Sequence, residues 1–133
     1  MSTVSEAWKT VGAITLFAAD LPAAKAFYER VFARTAAFED ESSAAFKFGS
    51  TIVNLVDTRA AAEVIAPASV ASPAAGSRFL LTIWVDDVDA ACAELGELGV
   101  PLLNGPVDRP WGMRTASFTD PAGHIWEFAQ DLN

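Results

Sequence analysis

AITLFAADLPAAKA at residues 13–26 returns in outline as LLTIWVDDVDAACA at residues 80–93, at an offset of 67 from Ala13 to Leu80. Thr15 meets Thr82, Asp20 meets Asp87, and Ala23, Ala24 and Ala26 meet Ala90, Ala91 and Ala93. Ile14, Leu16, Phe17 and Leu21 meet Leu81, Ile83, Trp84 and Val88. Alanine matches count for little in an Ala-rich chain, so the weight rests on Thr, Asp and the aligned apolar pattern. A unit that cannot bury its apolar face alone packs against a second copy. The duplication therefore predicts a site on the axis between two copies.

Each copy reads as strand, cap and helix. Gly12 to Ala19 alternates as a strand; Asp20 is an N-cap candidate, with Pro22 in the first turn, where its missing N–H costs nothing. Ala24, Phe27 and Val31 recur at helical spacing, and Phe32 closes the helix. Ser43–Phe48 and Ser50–Val56 read as strands around Gly49-Ser50, a hairpin signal. Residues 57–78, rich in Ala, Ser and Pro, read as a connector with one helical turn near Ala60–Val64. The pattern restarts with a strand at Phe79–Val85. Asp86 or Asp87 caps a helix carrying Val88, Ala91, Leu95 and Leu98 on one face, and Gly99 and Pro101 end it. Val100–Asn104 reads as a short strand, and Arg114–Thr119 and His124–Gln130 as strands joined by the turn Asp120-Pro121-Ala122-Gly123. Both halves read strand, helix, then about three strands, and IVNL at 52–55 lies against IWEF at 125–128, which equates Asn54 with Glu127. The expectation is one α+β domain over 1–133, with a first module at about 10–57, a connector at about 58–78 and a second module at about 79–131.

Composition narrows the function classes. With 133 residues, 52% hydrophobic and 20% charged, the chain is long and apolar enough for a core. A net charge of −8 offers no basic face, which argues against nucleic acid. No apolar run approaches the roughly 20 residues of a membrane span, and MSTVSEAWKT lacks the basic and apolar regions of a signal peptide. Cys92, the one cysteine, rules out an internal disulfide and fits a reducing cytoplasm. It reads as a small buried residue; a nucleophile would need a base beside it, and the only histidine, His124, is far away in sequence.

Three stretches carry a family resemblance: ITLFAADLPAAKAFYERVF at 14–32, FLLTIWVDDVDAACAELGELGV at 79–100 and RPWGMRTASFTDPAGHIWEF at 109–128. Together they resemble the vicinal oxygen chelate superfamily of glyoxalases, bleomycin-resistance proteins and extradiol dioxygenases. The last stretch, with Trp-Gly, then Asp-Pro-x-Gly-His and an Ile-x-Glu strand, is the most specific. The resemblance implies paired βαβββ modules curled into a cup with helices outside, a ligand in the cup, and a homodimer. In metal-dependent relatives four cup-facing positions hold a divalent ion, and here they fall on Ala13, Asn54, Leu80 and Glu127. Ala and Leu cannot ligate, and an Asn carbonyl is a poor ligand for zinc, nickel or iron. The expectation is therefore no metal site and no cofactor.

Strand parity predicts the cup lining: Ala13, Thr15 and Phe17; Leu80, Thr82 and Trp84; Ile52, Asn54 and Val56; Ile125, Glu127 and Ala129. Apolar walls with a few polar groups suit a small-molecule site, or the same residues close into a filled core. Glu127, facing apolar neighbours, should have a raised pKa unless paired. It reads as a general base or a hydrogen-bond anchor, or as a partner of Arg114, Arg109 or Asn54. Asp108–Arg114 reads as a loop holding Trp111 and an Arg over the cup mouth, or as a rigid turn with Trp111 filling the core and its arginines in solvent. His124 reads as a turn histidine, or less readily as a base. Phe46 and Phe48 share a parity and wall either pocket or core. The predicted ligand contacts are Phe17, Asn54, Thr82, Trp84, Arg109, Trp111 and Glu127, and the predicted function is binding of a small, partly apolar molecule. The alternatives are a glyoxalase-like isomerase or lyase using Glu127, a metal-dependent dioxygenase, and a dimeric scaffold without ligand.

Overall fold

The computed structural model describes residues 8–133 and divides into two compact units, meeting in sequence at Val70 and Ala71. The first holds β1 (Ala13–Ala18), α1 (Leu21–Val31), β2 (Phe38–Glu39), β3 (Ser43–Phe48), β4 (Thr51–Asp57) and α2 (Thr58–Ile65). Its sheet runs β1-β4-β3-β2, with β1 parallel to β4 and the rest antiparallel. The second holds a short 3₁₀ turn (Pro73–Ala75), β5 (Leu81–Trp84), α3 (Val88–Glu97), β6 (Asn104–Arg109), β7 (Met113–Thr119) and β8 (Ile125–Asp131). Its sheet repeats the order as β5-β8-β7-β6, again with one parallel pair, β5 on β8. Two tandem βαβββ modules of α+β class result. No helix among the described residues is long and apolar enough to cross a membrane.

The two helices the repeat predicts start alike. Asp20 accepts the Ala23 N–H at 3.1 Å and Asp87 accepts the Ala90 N–H at 3.1 Å, each satisfying one orphan donor of a first turn. Asp87, rather than Asp86, is thus the second cap. α1 buries Leu21, Ala24, Phe27 and Tyr28, whereas Val31 is only half-buried. The Tyr28 ring packs on Phe46 (centroids 5.7 Å apart), which is fully buried in the core, and Phe32 packs on the half-buried Phe48 (5.2 Å). In the second unit Val88 and Leu95 of α3 are buried, as are Ala116, Phe118 and Trp126. Gly99, at φ +77°, closes α3 in the left-handed conformation, with the Val100 N–H reaching back to the Leu95 carbonyl at 3.0 Å.

Four elements depart from the sequence reading. The connector holds a real helix, α2, capped by the Asp57 carboxylate on the Arg59 N–H at 2.9 Å. Its alanines favour helix without marking a face, so only Ala61 is buried. The two-residue strand β2 is too short to show a period. β5 starts at Leu81 rather than Phe79. β6 lies at 104–109 rather than 100–104, because its register on β7 shifts between Asn104 and Val107 and breaks the alternation.

Candidate functional site

The duplicated strands carry the duplicated positions into register. Thr15 lies opposite Asn54 in the β1–β4 pair, and Thr82 lies opposite Glu127 in the β5–β8 pair. Each sheet has one face against its helix and one face away from it. In the first unit Leu16, Ala18, Val53 and Leu55 are buried, while Ala13 and Thr15 are exposed and Phe17, Asn54 and Val56 are half-buried. Alternation thus places Phe17 and Asn54 on the face turned from α1.

The second unit's open face is more polar. Thr82 on β5, Glu127 on β8, Ser117 on β7 and Asn104 on β6 are successive cross-strand partners, so they form one row across all four strands. The next row is Trp84, Ala129, Thr115 and Val107. The Thr82 hydroxyl donates to Glu127 Oε1 at 2.9 Å. This is the pairing the sequence reading left open, and neither arginine supplies it. Ser117 is 6% exposed, and its Oγ has no hydrogen-bond partner among the described residues. Trp84 is 72% exposed, an indole face with no core role.

The Asp108–Arg114 segment splits between the two sides of the sheet. Arg109 Nε donates to Thr115 Oγ1 at 2.9 Å and Nη2 to Asn104 Oδ1 at 3.3 Å, which lays the guanidinium along the open face. Its Cζ sits 5.9 Å from the Trp111 ring centroid. Trp111 is 67% exposed at the tip of the β6–β7 hairpin, where Gly112 takes φ +86°; it is not core filler. Arg114 points to the helix side. Its Nη2 and Nε reach Asp89 of α3 at 3.0 and 3.2 Å, and Nη1 reaches Asp108 at 2.9 Å. Those two carboxylates, Asp89 first, raise its pKa further above the ordinary arginine value. Arg114 therefore ties α3 to the sheet.

His124 is likewise anchored. The Asp120 carboxylate accepts the Ala122 N–H at 3.0 Å and the His124 N–H at 2.9 Å, and it pairs with His124 Nδ1 at 2.9 Å. The Asp120 side chain is fully buried, the His124 side chain 14% exposed. The histidine closes a turn.

Of the four family metal positions, Ala13 and Leu80 carry no donor atom, and Glu127 accepts from a threonine hydroxyl. Among the described residues no group of three His, Cys, Asp or Glu side chains comes together as a metal cluster would require. On the helix side of the first unit, Pro22, Lys25, Glu39, Asp40, Ser43 and Asp57 line a cleft of about 460 Å³. Lys25 bridges Glu39 at 3.0 Å and Glu29 at 3.5 Å there, and the bond to Glu39 chiefly raises its pKa.

Ser117, Thr115 and Asn104 were missed from the sequence. The alternation of Thr115 and Ser117 with Ala116 and Phe118 held the signal for the first two; the irregular β6 register hid Asn104.

A family model described as the Glyoxalase/Bleomycin resistance protein/Dioxygenase superfamily matches residues 10–128. The chain belongs to that superfamily. Among curated proteins, an uncharacterized protein of Bacillus subtilis, YraH, is 35% identical over 91 residues, 67% of this chain and 71% of its own length. Among solved structures, a superfamily member from Nocardioides shares the fold at TM-score 0.82 and 23% identity, covering 98% of this chain and 91% of its own. A glyoxalase-related enzyme from Fulvimarina pelagi matches at TM-score 0.80 and 25% identity, over 92% and 88% of the two chains. A lactoylglutathione lyase from Agrobacterium tumefaciens matches at 0.73 and 25%, over 92% and 93%. Superfamily membership fits the paired βαβββ modules; one fold hosts many chemistries, so the site residues carry the functional argument.

Proposed function

We propose that this superfamily member binds a small, partly apolar molecule on the open face of the second unit's sheet, without a divalent metal. The supporting observation is the Thr82–Glu127 bond at the β5 end of that face, with Trp84 and Ala129 in the next row. An oriented carboxylate beside an exposed indole offers one fixed polar contact and one apolar platform, the usual make-up of a small-molecule site. Thr82 fixes the Glu127 rotamer through Oε1, and Oε2 keeps its acceptor capacity. Asn54 and Phe17 repeat the theme on the first unit's open face with an amide in place of the acid. The donor set at Ala13, Asn54, Leu80 and Glu127 does not fit a divalent ion, so no step is routed through one. The single cysteine and the family resemblance support a cytoplasmic homodimer.

A second reading makes Glu127 the general base of an isomerase or lyase. It is supported by Oε2, which takes no hydrogen bond among the described residues, and by the similarity to a lactoylglutathione lyase. E127Q separates the two. Gln keeps a carbonyl oxygen for the Thr82 hydroxyl, so the fold should survive. Under the binding reading, affinity measured by calorimetry falls about 3- to 10-fold, the worth of one hydrogen bond. Under the enzymatic reading, substrate binding persists and turnover is lost. Unchanged affinity together with unchanged turnover would remove Glu127 from the site.

A further inference from the structure

The polarity of the open face reaches beyond a generic pocket. A guanidinium has five N–H donors. Arg109 spends two, on Thr115 Oγ1 and Asn104 Oδ1, both neutral acceptors. No carboxylate pairs with it among the described residues, in a chain of net charge −8 whose Arg114, five residues on, holds two. Three N–H groups remain on a guanidinium already fixed in place, and a planar fork of that kind matches a carboxylate.

An independent observation points to the same spot. Ser117 Oγ is buried and has no hydrogen-bond partner among the described residues, and a lone buried hydroxyl costs roughly 1–3 kcal/mol unless something hydrogen-bonds to it. Ser117 is the cross-strand partner of Asn104 on one side and of Glu127 on the other, about 4.8 Å from each backbone. One row thus passes from an acceptor end, Glu127 with Thr82, through the Ser117 hydroxyl, to a cationic end where Asn104 holds Arg109. Glu127 repels an anion placed over it and attracts a donor; Arg109 does the reverse.

Resting on the binding reading above, we propose that Arg109 and Ser117 take the carboxylate of the ligand and Glu127 takes a donor group on the adjacent carbon. The ligand class is a small 2-substituted carboxylic acid whose apolar part lies against Trp84 or Trp111. Three probes test this by calorimetry on the full chain: mandelate, 1-phenylethane-1,2-diol, which lacks the carboxylate, and phenylacetate, which lacks the donor. Mandelate should bind at least about 10-fold more tightly than either analogue, the worth of one charge-assisted contact. R109M should erase its advantage over the diol, a loss of about 10- to 100-fold, and leave the diol unchanged. R109K should not restore it, since an ammonium lacks the fork. S117A removes an unpaired hydroxyl, so it should fold at least as stably as the parent and weaken mandelate alone, which keeps the test open if R109M fails to fold. The inference is overturned if mandelate binds no better than the diol, or if its affinity survives both substitutions; diol binding would then leave the binding reading standing. Absence of binding by all three probes overturns both.

Discussion

The Asp120 carboxylate in the β7–β8 turn accepts the Ala122 and His124 N–H groups and pairs with His124 Nδ1, and its side chain has no contact with solvent. Replacing it with Ala would leave the Ala122 and His124 N–H groups unsatisfied at a buried site. D120A should cost about 1–3 kcal/mol, read as a lower urea midpoint at unchanged slope. Its partner His124 was the one histidine of the chain, and its reading as a turn residue came from its place behind Gly123. The Asp partner was four residues upstream in the same motif. At Cys92, burial pushes the thiol up, and Asp89 adds to it while Arg114 opposes. A raised thiol pKa means less thiolate near neutrality. Disulfide-exchange reagents should therefore react more slowly with folded protein than with a free cysteine at pH 7.5. The rate should climb as pH rises through the thiol's range, and a rate equal to that of free cysteine would contradict the burial.

The caps are the element-scale signature of the duplication. Asp20 and Asp87 sit at equivalent positions and each accepts the N–H three residues on, at 3.1 Å. D20A and D87A should each lower stability by about 0.5–2 kcal/mol by chemical denaturation. Being in separate units, they should add in the double variant. A zero effect at either site would break the equivalence. At this scale the sequence was most legible where periodicity, caps and turn residues agreed: β1, α1, the β3–β4 hairpin, α3 and the β7–β8 hairpin. It was least legible where a local feature overrode the pattern. α2 hid in an alanine-rich stretch because Ala favours helix without marking a buried face, and β6 hid behind a register shift. The open-face rows show the same split. Thr82 and Glu127 were readable from parity and the repeat, whereas the placement of Asn104 and the Arg109 bonds depends on the irregular strand β6.

Across the whole chain, a doubled fold has kept its positions and changed their chemistry. Thr15 and Thr82 hold the same register position in their two sheets, while their partners are Asn54 in one and Glu127 in the other. The superfamily assignment follows from the match over residues 10–128, and the proposed ligand chemistry rests on the asymmetry of the two faces. The central claim, binding of a small, partly apolar molecule without a divalent ion, is tested most directly by a thermal-shift titration of mandelate on protein stripped with EDTA. The expected result is a rise in Tm that grows with ligand concentration, is the same when one equivalent of zinc is restored, and needs about 3- to 10-fold more ligand in E127Q. A rise in Tm that appears only after zinc or another divalent ion is returned would contradict it.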